Sequence, residues 1–213
     1  MSKTFPNQLI PFYGGKNPRL FEIERRCMDR DGHVVTFLDR HLPNGLVLDV
    51  GAGNGFTAMK LRSSQRTVIP MEPDENMVDH SLPLAWAWGV AQSIPFHNDV
   101  FDAAYATWAF FFQGIKTFDD GLREIMRVVK PGGLIAIIDN AGDDELCALT
   151  TRNIASNMTF WESLGFTTTV INTAYKFDSL EEANELLRFY FGDDLRNDKI
   201  ELAYRVAAYT LRV

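Results

Sequence analysis

Residues 46–55 read Leu46-Val47-Leu48-Asp49-Val50-Gly51-Ala52-Gly53-Asn54-Gly55. The first five form a short, mostly apolar run without polar alternation, as a strand buried on both faces requires. The three alternate glycines let the main chain turn sharply and let a ligand lie against bare backbone. In an open parallel sheet such a turn sits at the carboxyl ends of the strands, beside the point where strand order reverses. A second feature fits it: Glu72, 17 residues after Gly55, ends the next short apolar run. A carboxylate there can accept both hydroxyls of a ribose.

Outward from this turn, strands and helices alternate. Val68-Ile69-Pro70-Met71 reads as the second strand, Phe101 to Ala106 as a third and Leu134 to Ile138 as a fourth. Helices are expected from Thr57 to about Leu61 and through Leu122, Ile125, Met126 and Val129, the latter ended by Lys130-Pro131-Gly132-Gly133. Such alternation implies βαβ units and a parallel sheet with helices on both faces. Before the first strand, Pro6 to Pro18 reads as an irregular arm, followed by helices on Leu20, Ile23 and Cys27 and on Val34, Phe37, Leu38 and His41/Leu42. After the fourth strand come a helix over Asn153–Leu164, a strand around Thr167–Thr173 and a helix opened by the capping box of Ser179 and Glu182. Alternation from Ile200 to Ala208 marks a last strand with two unlike faces, an edge or antiparallel one. The expectation is an α/β, doubly wound sheet, mostly parallel with an antiparallel C-terminal strand. It forms one domain: residues 1–45 a helical cap or arm, 46–139 the ligand-binding core, 140–213 the rest of the sheet and the acceptor side.

The nucleotide is narrowed by two details. A dinucleotide wants G-x-G-x-x-G, whereas here the third glycine comes one place early and Phe56 takes the dinucleotide position. Asp49, two residues before the first glycine, repels a pyrophosphate but suits an ammonium and a sulfonium.

On these residues the chain resembles the class I S-adenosylmethionine-dependent methyltransferases, in their small-molecule, ubiquinone/menaquinone-methyltransferase-like branch. The resemblance runs from about Leu46 to Asp139 through LDVGAGNGFTA, VIPMEPDENM, GVAQSIPFHNDVFDAAYATWAFFF and LREIMRVVKPGGLIAIID, in the family's order and spacing. It implies a Rossmann-like fold and S-adenosylmethionine as cofactor, with S-adenosylhomocysteine as product. By the same resemblance Asp49, Gly51, Ala52, Gly53 and Gly55 hold the methionine part, and Glu72 with Pro73 holds the ribose. Met77 packs on adenine, Ala91 and Gln92 serve its edge, and Thr107 stands near the reacting methyl. The family often has an aspartate for adenine where Val90 stands. Tyr13, Trp108 and Phe112 are candidates for an acceptor pocket. Trp86 and Trp88 either wall the adenine or pack in the core.

In-line methyl transfer needs position and exclusion of water more than a catalytic dyad, so the lack of a visible base is compatible with an enzyme. No (D/N)PPY follows the third strand and neither Cys27 nor Cys147 follows proline, which argues against methylation of DNA bases. With 21 basic and 28 acidic side chains the net charge is −7, which disfavours nucleic acid as a partner; Arg25-Arg26 and Arg123/Arg127 read as solvated helix faces. The histidines and cysteines match no metal-ligand spacing, no 18-residue apolar run suggests a membrane span, and the N-terminus lacks a secretory h-region. A cytoplasmic, small-molecule enzyme is expected, with its acceptor and oligomeric state open. The competing readings are a nicotinamide oxidoreductase of related fold and a catalytically silent cofactor-binding module.

Overall fold

The computed structural model describes residues 13–110, 119–151 and 153–213. Six strands form one sheet: β1 (Gly45–Val50), β2 (Arg66–Met71), β3 (Phe101–Thr107), β4 (Val129–Asn140), β5 (Thr167–Lys176) and β6 (Glu201–Arg212). Their order is β2-β1-β3-β4-β6-β5. The first four run parallel, and β6 lies antiparallel between β4 and β5, as its alternating pattern predicts. Ala87 adds a single parallel bridge to Met71 at the β2 edge.

Helices α1 (Pro18–Cys27), α2 (His33–His41), α3 (Phe56–Leu61) and α6 (Leu180–Phe191) cover one face, with Leu20, Val34, Leu61 and Leu186 packed on Tyr105, Ala136 and Val206. Helices α4 (Asp119–Val128) and α5 (Met158–Ser163) cover the other through Leu122, Ile125 and Trp161. Both faces are thus dry, which is why β1 and β4 are continuous apolar runs rather than alternating ones.

Two boundaries differ from the sequence expectation. Val129 leaves the helical register and starts β4, opposite Phe101, and residues 130–133 bulge out before Leu134 rejoins opposite Ala103. Gly133 is obligatory in that bulge, since a Cβ there would lie 2.8 Å from the Lys130 carbonyl oxygen and 2.9 Å from that of Asp102. The Lys130–Asp102 ion pair at 2.6 Å pins it. The helix expected over residues 153–164 is only Met158–Ser163. Asn140 accounts for this: its side-chain amide binds the Ile154 carbonyl and its own carbonyl accepts the Ser156 N–H, pulling the chain out of helical geometry. Asn157 then caps the shortened helix on the Phe160 N–H.

The charge readings also change. Arg26 is bound by Asp178 and Glu182, and Arg127 by Glu124 and the carbonyls of Ile94 and Phe96. These two guanidiniums tie segments together instead of forming solvated faces. Ser179 caps α6, its Oγ accepting the Glu182 N–H at 3.1 Å, while Glu182 Oε2 reaches back to the Asp178 N–H, one residue before the cap. Ser179→Ala should therefore cost about 1 kcal/mol of stability, read as a lower urea midpoint at unchanged slope; an unaltered midpoint would show the cap to be idle.

Candidate functional site

The order of the strands reverses at β1, whose neighbours are β2 on one side and β3 on the other. A crevice opens at such a point, outside the carboxyl ends of the strands. The glycine turn follows β1 into it and Thr107 ends β3 there. Gly51, Gly53 and Gly55 all have positive φ, of 72°, 56° and 80°. Side chains are excluded as well as strained here: a Cβ on Gly51 would lie 2.5 Å from the Ala109 Cβ, and one on Gly55 would lie 2.9 Å from the Trp86 ring.

The turn's hydrogen bonds identify what it can hold. The N–H groups of Gly51 and Ala52 both donate to the Met71 carbonyl, at 2.9 and 3.1 Å, and that of Gly55 donates to the Ala52 carbonyl. The Gly53 N–H donates to Glu72 Oε2 and the Phe56 N–H to Asn54 Oδ1. A diphosphate is bound by free N–H groups aimed at its oxygens, and these donors are taken. Acceptors, by contrast, are to spare. Asp49 is wholly buried; its Oδ2 accepts the Tyr105 hydroxyl at 2.8 Å, while its Oδ1 has no partner among the described residues. Glu72 Oε1 accepts the Asp74 N–H at 3.0 Å, so each of its oxygens keeps a further lone pair. A ligand with an ammonium at one end and a ribose diol behind it fits this set.

Burial dominates the electrostatics. It pushes the Asp49 carboxyl up to about 7 against the Tyr105 hydrogen bond, and the nearby Glu72 adds to the shift. Glu72 itself rises to about 7 by burial, opposed by the two main-chain N–H bonds. Both folded values lie above the ordinary 3.8 and 4.5, so the empty protein binds more protons folded than unfolded. Stability of the empty form should fall as pH rises from about 4 to 7 and level off above. A ligand ammonium needs the Asp49 carboxylate, so its binding should strengthen over the upper part of the same range. Melting curves with and without S-adenosylhomocysteine between pH 5 and 8 test both signs; a ligand-induced shift that shrinks with rising pH would contradict the pairing.

The remaining site residues fall around this centre. Met77 is buried in a short turn, and its Cε together with Phe21 Cζ stands 3.3–3.7 Å from where a Gly53 side chain would begin. Phe21 was not singled out by the sequence, because it lies one step off the apolar stripe of α1; that offset was its only signal. The Arg25 guanidinium stacks 4.3 Å over Phe56, so α1 closes the turn from above. Pro73 and Gln92 are half-buried, while Val90 and Ala91 are buried, with the Val90 carbonyl accepting the Ser93 N–H. The indole nitrogens of Trp86 and Trp88 are buried without a partner among the described residues. Phe110 is core. Phe112 and the Tyr13 side chain lie outside what the structure describes.

Thr107 and Trp108, both half-buried, stand at the end of β3 beside the glycine turn. Trp108 has φ 48°, a left-handed backbone that costs a bulky residue about 1–2 kcal/mol. Its N–H binds the Ile138 carbonyl at 2.9 Å and its indole N–H the Tyr204 hydroxyl at 2.8 Å. Tyr204 in turn donates to Asn140 Oδ1. Tyr105 and Tyr204 were read from the sequence only as strand residues. Nothing local distinguishes a buried tyrosine with a polar duty from one that fills space.

The fold is an α/β sheet of the Rossmann-like class, and its crevice presents acceptors where a dinucleotide binder has donors. Residues 48–137 match the family model described as a methyltransferase domain. That stretch, under half of the chain, is what the chain shares with the class I S-adenosylmethionine-dependent methyltransferases. Among curated proteins it is similar to a demethylmenaquinone methyltransferase of Corynebacterium kroppenstedtii, 33% identical over 46% of this chain and 42% of that one. A 2-phytyl-1,4-naphtoquinone methyltransferase of Synechococcus elongatus is 30% identical over 62% and 60%. The chain spans less than half the length of the first curated relatives it matches. Among solved structures, an S-adenosylmethionine-dependent methyltransferase of Thermotoga maritima shares the fold, with TM-score 0.61, 18% identity, and coverage of 93% of this chain and 96% of that one. The [4+2]-cyclase SpnF does so as well, with TM-score 0.53, 20% identity, and 87% and 81% coverage.

Proposed function

We propose that this protein transfers a methyl group from S-adenosylmethionine to a small molecule. The observation that carries the reading is the glycine turn in which the N–H groups of Gly51, Ala52, Gly53 and Gly55 are already bonded while Asp49 Oδ1 is buried without a partner among the described residues. Bound S-adenosylmethionine would supply a methyl group activated on a sulfonium. Asp49 holds the ammonium of its methionine end, Glu72 accepts from the ribose, and Gly51, Gly53 and Gly55 admit the chain of atoms between them. Pro73, Met77, Ala91 and Gln92 surround the base, with main chain near Ala91 doing what an aspartate at Val90 would do. Thr107 and Trp108 face the methyl, and Phe21 with α1 keeps water out, which strengthens every charge contact within.

The named relatives act on quinones, so a small organic acceptor is the class proposed here, with no role for nucleic acid. No helix among the described residues is long and apolar enough to cross a membrane. Both cysteines are free, which suits the reducing cytoplasm proposed as its compartment.

Isothermal titration with S-adenosylmethionine and S-adenosylhomocysteine tests the cofactor assignment. Glu72→Ala should weaken both by about 1.5–3 kcal/mol, the worth of hydrogen bonds to a charged group. Unchanged affinity, or binding of NAD(H) in their place, refutes it. A second reading, cofactor binding without methyl transfer, draws on the neighbouring fold being a [4+2]-cyclase: one scaffold hosts unlike chemistry. Release of S-adenosylhomocysteine on incubation with candidate acceptors separates the two.

A further inference from the structure

Five buried side chains among the described residues are ionisable acids or bases of the Asp, Glu and Arg type: Glu24, Asp49, Arg66, Glu72 and Asp139. The single base, Arg66, opens β2 at the amino end of the sheet and is held by Asp39 and by main-chain carbonyls. Asp49, Glu72 and Asp139 lie at the carboxyl ends of β1, β2 and β4. Glu24 accepts the Tyr190 hydroxyl from α1, whose Phe21 reaches Gly53. Asp49 and Glu72 are used by the cofactor in the reading above; Asp139 and Glu24 are not. Together with Asp144 they act on the Tyr204 hydroxyl, which burial chiefly, and these carboxylates further, keep protonated. The carboxyl ends of β1, β2 and β4 therefore hold three buried acids and, among the described residues, no buried base; burial raises all three to about 7, so a cation arriving there draws them into the ionised form, as an anion cannot.

Beside it stands Trp108. Its ring stacks on Tyr204 with centroids 6.5 Å apart and planes 24° off parallel, and its indole N–H is tied to the Tyr204 hydroxyl. Asn140 accepts from that hydroxyl and is itself anchored through its amide to the Ile154 carbonyl at 2.9 Å. The neighbouring Ala109 abuts Gly51, so the indole is fixed one residue from the cofactor cradle. An indole face is the best of the aromatic platforms for a cation.

We propose that the methyl acceptor carries a positively charged amine or ammonium group that rests against Trp108, and that Tyr204 and Asn140 are positioning residues that hold the indole for it. This rests on the methyl-transfer reading and adds to it the charge of the substrate.

The test uses the full chain saturated with S-adenosylhomocysteine and titrated with matched probes: 2-phenylethylamine, cationic at pH 7.5, its neutral isostere 2-phenylethanol, and neutral 1,4-naphthohydroquinone. The amine should bind at least tenfold more tightly than either. Trp108→Leu should bring that ratio to near one, and Trp108→Phe, which keeps an aromatic face, should retain part of it. Tyr204→Phe should lower the ratio several-fold while S-adenosylhomocysteine affinity moves less than twofold, an outcome that a merely structural tyrosine would not give. A wild-type ratio near one, a preference for the alcohol or the quinol, or no detectable amine binding overturns the proposal, as does a Tyr204→Phe variant with the full ratio. Failure of S-adenosylhomocysteine itself to bind would instead remove the methyltransferase reading beneath it.

Discussion

Asp49→Asn should weaken S-adenosylmethionine binding by about 2–5 kcal/mol, the cost of removing one partner of a buried charge pair, and at the same time make the empty protein more stable. The two signs have one origin. Asp49 is fully buried, with one oxygen on Tyr105 and the other without a partner among the described residues. Its carboxyl is raised from 3.8 to about 7, so keeping it ionised above that pH works against folding. An asparagine carbonyl can still accept the Tyr105 hydroxyl but brings no charge to desolvate, and none to meet an ammonium. Melting temperatures at pH 8 should therefore rise without ligand, while calorimetric affinity drops at least thirtyfold. A variant that binds as tightly as wild type would place the ammonium elsewhere. One that is less stable without ligand would mean that burial is not what raises this carboxyl.

Arg66→Met should show the opposite separation: a large loss of stability with little change in cofactor affinity. The Arg66 guanidinium is buried at the far end of the sheet and donates to Asp39 Oδ1 at 2.7 Å and to the carbonyls of Leu42 at 2.8 Å, Pro43 at 2.9 Å, Asp39 at 3.1 Å and Leu61 at 3.1 Å. It fastens the end of α2 and the end of α3 to β2. Methionine fills much of the same volume but donates nothing, leaving buried carbonyls unsatisfied at about 1–3 kcal/mol each. A total of about 3–5 kcal/mol corresponds to roughly 6–20 °C in a domain of this size. Differential scanning calorimetry decides it: a fall under about 2 °C would show that water replaces the guanidinium. The contrast with Asp49 is between a buried charge whose bonding is complete and one left incomplete for a ligand.

Much of this molecule was legible in one dimension. The buried strands announced themselves as β1 and β4 because helices cover both sheet faces, and apolar continuity is what such strands need. The glycine turn was legible because only glycine tolerates positive φ together with a neighbouring Cβ at 2.5 Å, as Gly51 does. Ser179 and Asn17 cap their helices by side-chain bonds to the N–H three residues on, a purely local chemistry, although the sequence flagged only Ser179. Asp49 and Glu72 could be picked out by their distance from that turn, and both lie in the crevice.

What sequence could not supply depended on partners far along the chain. Val129 joined a strand because Phe101 offered it a ladder, and Asn140 unwound residues 153–157 from a different part of the chain. Residue types and their short-range spacing thus determined the parallel sheet, the glycine turn and the acid placed beside it, since each rests on backbone geometry or on spacing within a few residues. Tertiary structure alone decided that the turn's N–H groups are spent on Met71, Ala52 and Glu72, that Phe21 closes it, and that Trp108 is locked by Tyr204, 96 positions away. Hydrogen bonds and burial between distant residues exist only once the chain has folded, and they leave no periodic trace in the order of its amino acids.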